Sequence, residues 1–265
     1  MTYFVRNQQY AFGIDLSRYN ASADLRDNPD FNQIASHDPQ VNFIAMRSGQ
    51  SWGEKDPTFE GFFREAVRIG ACILPYHVIF PGEPALKQIN NLMRILEGID
   101  LNRVRLVLDM ELDHNQSRAI ITNTLLTCLE LLNQETGRYP IIYSRASWVD
   151  SHLQVEDLPW LDWWLAQYHY RRPFPAYTPE FACPPNLPRG VTQWLIHQTA
   201  EKAPAIGGVG TYMDYDRWHG SKQDVLTYFG RTQGAAEVLC PLNGEPCNRE
   251  STPSQAIRAE LPVEA

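Results

Sequence analysis

No Cys-x-x-Cys pair occurs among the five cysteines, so neither a zinc ribbon nor a dithiol redox motif has support. No stretch approaches the ~18 consecutive apolar residues that cross a bilayer. The chain opens MTYFVRNQQYAFGIDLS, without a basic segment leading into an apolar run, so a secretory signal is not expected and the compartment stays open. Basic residues are the minority, 23 against 31 acidic, for a net charge of −8. The basic stripe that follows a phosphate backbone is missing, and neither nucleic acid nor a membrane is an expected partner. An acidic surface does not exclude a polysaccharide, which is held by shape, aromatic rings and hydrogen bonds. Internal repeats are also lacking, and a monomer is expected.

What is present is an ordinary globular composition, 43% hydrophobic over 265 residues, long enough for one sizeable core. Short apolar runs alternate with amphipathic stretches. Strands are expected at Phe12–Leu16, Val41–Met46, Ala71–Tyr76, Arg105–Glu111, Pro140–Tyr143, Trp163–Tyr168, Gln193–Gln198 and around Tyr212–Asp214. Helical spacing marks Phe59–Ile69, Leu86–Leu96 and Ala119–Asn133, the last followed by Gly137 as a C-terminal stop. About eight strands separated by helices imply parallel pairing and an α/β fold, a modified TIM-like β/α barrel. An open doubly wound sheet is the alternative. Residues 171–190 are dense in proline and cannot hold a long helix, so helices should thin out in the second half. One barrel domain is expected over residues 1–230, with 231–265 a polar tail read as linker or disordered end. Cys72 and Cys128 lie in apolar runs and should be buried thiols. Cys240 and Cys247 could close a small loop disulfide, a question the compartment decides.

In such a barrel the chemistry sits at the C-terminal ends of the strands. Three expected strands end in carboxylates: Asp15 on the first, Asp109 and Glu111 on the fourth, and Asp214 with Asp216 on the last. Residues two apart on a strand share a face. Val107, Asp109 and Glu111 should therefore face the axis, while Leu106, Leu108 and Met110 face the helices. Like charges at close range raise one pKa, which lets one carboxyl stay protonated as a general acid beside an ionised neighbour. Each carboxylate also has a plainer reading. Asp109 and Glu111 could pair with a cation, Asp15 could cap a helix, and Asp214 could sit in the turn after Gly207-Gly208-Val209-Gly210. Three such positions in one barrel topology favour a shared site. Tyr76, Tyr143, Trp164 and Tyr168 fall near strand ends, where rings stack on sugars. Of the adjacent Trp163 and Trp164, one should pack between barrel and helices. Arg47 could pair with a catalytic carboxylate or with substrate.

These residues resemble the family-25 glycoside hydrolases, the Chalaropsis-type lysozymes, from about Phe12 to Trp218. The resemblance is carried by Gly13-Ile14-Asp15-Leu16-Ser17, by Phe43 through Arg47-Ser48-Gly49, by Gly70 through Tyr76-His77 and by Asp109-Met110-Glu111. It continues in Ile142-Tyr143-Ser144, in Trp164-Leu165-Ala166-Gln167-Tyr168 and in Gly208 through Asp214-Tyr215-Asp216. Two positions depart. His197, before Gln198, stands where the family usually has tryptophan, and Asp216 stands at its terminal asparagine. The resemblance implies hydrolysis of the β-1,4 bond from N-acetylmuramic acid to N-acetylglucosamine in peptidoglycan, with no cofactor. Glu111 would be the proton donor, and Asp109 would stabilise the cationic centre or orient the acetamido group. Asp15 and Asp214 would tune the acid, with Tyr76, Tyr143, Trp164, Tyr168, Arg47, Gln198 and Asp216 around the substrate. Two rivals remain: a metal-dependent barrel hydrolase using His77, Asp109, Glu111 and His114, and a non-catalytic glycan-binding barrel.

Overall fold

A computed structural model describes residues 10–168, 184–210 and 212–231. Nine strands form one sheet: β1 (Phe12–Leu16), β2 (Val41–Gln50), β3 (Glu54–Lys55), β4 (Cys72–Val78), β5 (Val107–Asp109), β6 (Ile141–Ser144), β7 (Trp163–Ala166), β8 (Ile196–Pro204) and β9 (Tyr212–Trp218). All but β3 close into an eight-stranded barrel in the order β1-β9-β8-β7-β6-β5-β4-β2, completed by parallel pairing of β2 with β1. The two-residue β3 is only a hairpin return against the end of β2.

Among the described residues six α-helices accompany the barrel: α1 (Phe31–Ala35), α2 (Phe59–Arg68), α3 (Ala85–Ile95), α4 (Arg118–Thr136), α5 (Ala146–His152) and α6 (Lys222–Tyr228). Their ends follow local chemistry. Ser117 Oγ accepts from the Ile120 amide at the start of α4, and Gly137 closes it at φ 71°, a left-handed position that costs glycine nothing. Phe59, Phe62, Phe63 and Ala66 give α2 one buried stripe against the barrel wall. The expected thinning of helices holds where it can be seen. Residues 184–195 carry none, and β8 passes to β9 by a turn. Most of the proline-dense stretch, the polar tail beyond Arg231, and Cys183, Cys240 and Cys247 lie outside the described residues. Cys72 and Cys128 are buried and form no disulfide. No helix among the described residues is long and apolar enough to cross a membrane.

The structure corrects the expectation of parallel pairing throughout. The pairs from β1 through β8 are parallel, but β9 runs antiparallel to both β8 and β1. The connection decides this. A parallel return needs a crossover of a dozen or more residues, whereas a tight turn permits only an antiparallel partner. Gly207, Gly208 and Gly210 all take positive φ in that turn. A Cβ on Gly207 would lie 2.7 Å from the Asp30 amide nitrogen, which donates to the Gly207 carbonyl at 3.0 Å.

Alternation along the strands sorts the core into two layers. Ile14, Leu16, Ile44, Met46, Leu108, Met110, Ile142, Trp163 and Leu165 pack outward against the helices. Phe43, Ala45, Leu74, Val107, Tyr143, Trp164, Ile196 and Trp218 fill the interior. Trp163 thus faces the helices and Trp164 the axis, as adjacent strand residues must. The Phe43 ring lies so near the axis that a Cβ on Gly13 would sit 2.3 Å from it. Phe43, Trp218 and Phe229 plug the floor, leaving the opposite end for polar groups.

Candidate active site

β5 is shorter than expected and ends at Asp109, so Glu111 stands two residues past the ladder. The intervening Met110 is still fixed: its amide donates to the Tyr143 carbonyl at 2.9 Å, and its carbonyl accepts from Ser144 Oγ at 2.6 Å. Glu111 therefore leaves a rigid strand end and enters the barrel mouth half-buried, while Asp109 stays below it at 6% exposure.

The reversal of β9 determines where Asp214 goes. Because that strand runs backwards, its beginning lies at the mouth, and Asp214 is the register partner of Asp15. A recess of about 110 Å³ is lined by Asp15, Tyr76, Asp109, Glu111, Tyr143, Trp164, Gln198 and Asp214. All four carboxylates expected to be catalytic meet there, with four of the seven expected substrate residues.

Gln198 organises this cluster. Its Oε1 accepts from Tyr143 OH at 2.9 Å and from Tyr168 OH at 2.8 Å. Two hydroxyl donors on one oxygen fix the amide orientation. Its Nε2 then donates to Asp15 Oδ2 at 2.6 Å and to Asp214 Oδ2 at 3.5 Å. Trp164 Nε1 donates to Asp216 Oδ1 at 2.8 Å, beneath the recess. Tyr168 lies just outside the lining, and Asp216 is fully buried.

So many carboxyls in a dry mouth cannot all ionise. Burial pushes Asp15 up to about 6, held there by the Gln198 bond, and pushes Asp214 up to about 9, with Asp15 beside it adding to the rise. Asp214 thus keeps its proton and shares it with Asp15. Asp109 and Asp216 are also raised well above the usual range, burial first and neighbouring carboxylates second. Burial raises Glu111, and the guanidinium of Arg145 partly opposes it. Two carboxyl oxygens of the cluster, Asp109 Oδ1 and Asp216 Oδ2, are buried without a hydrogen-bond partner. A buried open acceptor is costly.

Arg47 pairs with a carboxylate other than the four expected to be catalytic. Its Nε donates to Asp56 Oδ2 at 2.8 Å, and its guanidinium lies 5.2 Å from the Tyr19 ring. Asp56 also accepts from the Thr58 amide and hydroxyl and from the Arg18 amide. Arg47 therefore braces the loops beside the mouth and does not line the recess, although its charge still reaches Asp109.

Sequence reasoning missed Arg145. It follows β6 directly, caps α5 and stacks 5.5 Å from the Tyr168 ring. The available signal was position alone: a cation immediately past Ile142-Tyr143-Ser144, where the strand was expected to end at Tyr143.

His197, at the unusual position, faces outward. Arg217 Nη2 donates to its Nδ1 at 2.8 Å, so Nε2 carries the proton and donates to the Gln167 carbonyl at 2.9 Å. His77 also faces away, bonding the Ser51 carbonyl through Nε2, and burial lowers its pKa to about 4. His77 therefore does not join Asp109 and Glu111, and among the described residues no group of three or more His, Cys, Asp or Glu side chains has the arrangement to hold a metal ion.

The model of the family "Glycosyl hydrolases family 25" matches residues 14–207. The uncharacterized protein YegX of Escherichia coli O157:H7 is 23% identical over 226 residues, covering 82% of this chain and 72% of that protein. YegX of strain K12 is 28% identical over 171 residues, and the match spans only 57% of its length. A solved family 25 glycosyl hydrolase from Bacillus anthracis superimposes with TM-score 0.66 at 16% identity, covering 85% of this chain and 94% of that one. A muramidase from Acremonium alcalophilum gives 0.65 at 17% identity, covering 83% and 98%. A bacterial lysozyme from Streptomyces coelicolor gives 0.63 at 18%, covering 83% and 97%. At these identities the structural likeness is one of fold.

Proposed function

The chain belongs to glycosyl hydrolases family 25, and from that premise we propose that it is a muramidase. In this reading it hydrolyses the β-1,4 bond between N-acetylmuramic acid and N-acetylglucosamine of peptidoglycan. One observation carries the reading. Four carboxylates share a single barrel mouth, and burial raises the pKa of Glu111, the one carried past the strand end. A protonated carboxyl beside the leaving oxygen is what glycoside cleavage requires.

Glu111 gives its proton to the glycosidic oxygen as the bond to the muramic acid C1 breaks. Arg145 keeps that proton labile, because a nearby cation favours the carboxylate left behind. Asp109 holds the sugar that develops positive charge. Its unpartnered Oδ1 suits the N–H of the 2-acetamido group, and accepting that bond favours its ionised form. The held acetamido carbonyl oxygen closes on the anomeric carbon as that bond breaks, and a water that gives a proton back to Glu111 then replaces it at C1 to complete the hydrolysis. Asp15, Asp214 and Gln198 fix the proton distribution below. Tyr76 and Trp164 wall the sugar; their rings stand 6.2 Å apart, edge to face. The barrel domain over residues 1–230 is the unit assigned this activity.

Purified sacculi digested with the protein should yield new reducing ends that are muramic acid, identified by mass spectrometry after reduction. Glu111→Gln should fold normally and lose at least a thousandfold in rate, the scale of general acid catalysis with its electrostatic support. New free amines without new reducing ends, or normal wall clearing by Glu111→Gln, would overturn the proposal.

A further inference from the structure

The mouth is not the largest recess. A second one, of about 350 Å³, opens at the other end of the barrel. Its walls include the residues just before β5, β6 and β7, together with α6, which places it at the N-terminal ends of the strands. Trp160 stands at its edge 68% exposed, and Tyr139 is 42% exposed. Exposed large aromatics on a single wall are a poor use of surface unless something covers them.

Two guanidinium groups share this recess. Arg105 spends its N–H groups on the carbonyls of Asn102, Val104 and Tyr228. Arg138 uses Nη2 on the carbonyls of Leu101 and Val104. Among the described residues, its Nε and Nη1 have no protein acceptor, and neither arginine makes an ion pair. Asp162 is the one carboxylate among the lining residues; its Oδ2 accepts from Tyr228 OH at 2.7 Å. The recess is therefore cationic on a chain whose net charge is −8.

We propose that this recess is a second, non-catalytic binding site for an anionic glycan strand. Trp160 and Tyr139 would stack on pyranose faces, and Arg138 with Arg105 would take a carboxylate carried by the sugar or its peptide. The inference rests on the peptidoglycan reading above, since that polymer presents pyranose rings and carboxylates together. The barrel strands separate the recess from the mouth, so the two ends engage different strands of one mesh. Holding a neighbouring strand raises the effective concentration of the mouth on an insoluble polymer and does nothing for a short soluble one.

Binding is measured first with the full chain carrying Glu111→Gln, so that cleavage cannot erode the target. Retention on purified sacculi should fall five- to tenfold with Trp160→Ala and similarly with Tyr139→Ala, each at an unchanged melting temperature. Retention unchanged in both variants overturns the site. Arg138→Gln should weaken retention on sacculi but not on chitin, a neutral polymer of the same kind of ring. Equal loss on both polymers, or on neither, overturns the anionic assignment. In the active background, Trp160→Ala should slow digestion of sacculi while cleaving a soluble peptidoglycan tetrasaccharide within twofold of the parent. Equal slowing on both overturns the anchoring role. An active chain that cuts neither substrate refutes the muramidase reading, while the retention arms still decide the recess.

Discussion

Replacing Asp214 with asparagine should make the protein more stable and less active, and the gain should depend on pH in one direction. Asp214 titrates at about 9 in the folded chain against an ordinary value of 3.8. The folded state therefore binds its proton far more readily than the unfolded state. For a group with a raised folded pKa, the favourable contribution is complete below 3.8 and is lost as pH rises toward 9. At pH 7 the unfolded chain has gained the free energy of ionising over about three units, at roughly 1.4 kcal/mol per unit, a ceiling of ~4 kcal/mol. Asp214 is only partly enclosed, and coupled carboxyls share the cost, so ~2–4 kcal/mol is expected. Asparagine has the shape of the protonated form, and its amide can still donate to Asp15. It removes the ionisation penalty from the unfolded side and retains the contact. Urea unfolding of the two proteins, compared from pH 4 to pH 8, tests this. The variant should exceed the parent by ~2–4 kcal/mol at pH 7, and the gap should close toward pH 4. A flat gap, or a less stable variant at pH 7, would refute the account of the shared proton. Activity should fall in the same variant, because the proton distribution around Asp15 is no longer adjustable.

Other outcomes follow from single contacts. Arg145→Ala should raise the pKa of Glu111, since the cation that favours its ionised form is gone. The alkaline limb of the pH–rate profile should move up, and Arg145→Lys should largely restore it; a loss of rate with an unmoved limb would contradict the coupling. Gly13→Ala should cost ~3 kcal/mol or more by denaturant unfolding, because the new methyl meets the Phe43 ring at 2.3 Å in a packed barrel. Gln198→Ala removes the largest of the hydrogen bonds that lower Asp15, so the acid-side behaviour of the enzyme should shift upward in a rate profile. An unshifted profile would remove Gln198 from the proton network.

Most barrel strands were legible as short apolar runs, but the two-residue β3 was not expected, and β8 starts and ends later than the Gln193–Gln198 expected for it. The inward direction of Val107 and outward direction of Leu108 followed from the two-residue period alone. Glu111 was legible as a mouth residue for the same reason, although it proved to lie beyond the last ladder pair. Partnerships between distant charged groups were not legible. Arg47 could be drawn toward several carboxylates on paper, and the choice of Asp56 depends on the β3 hairpin return that brings residue 56 beside it. Arg145 was invisible because its role comes from stacking on Tyr168, a contact across two strand ends with no sequence periodicity. Gln198 was visible as a motif residue, but its four-way bonding from β8 needs β1, β6, β9 and the segment just past β7 at once.

The direction of β9 binds these observations together. In a fully parallel barrel, Asp216 would lie nearer the mouth than Asp214, since later residues of every strand would lie higher. Antiparallel pairing inverts that order, lifting Asp214 level with Asp15 and sinking Asp216 level with Gly13. The glycines of the turn from β8 are what permit the inversion. Asp216 then meets the Trp164 indole at depth, where burial raises its pKa and it serves as a hydrogen-bonded support. Asp214 is left at the surface of the recess, close enough to Asp15 to hold one proton between them. The division of labour among these carboxyls thus follows from strand polarity. A turn too short to allow a crossover decides which aspartate faces the sugar and which one holds up the floor beneath it.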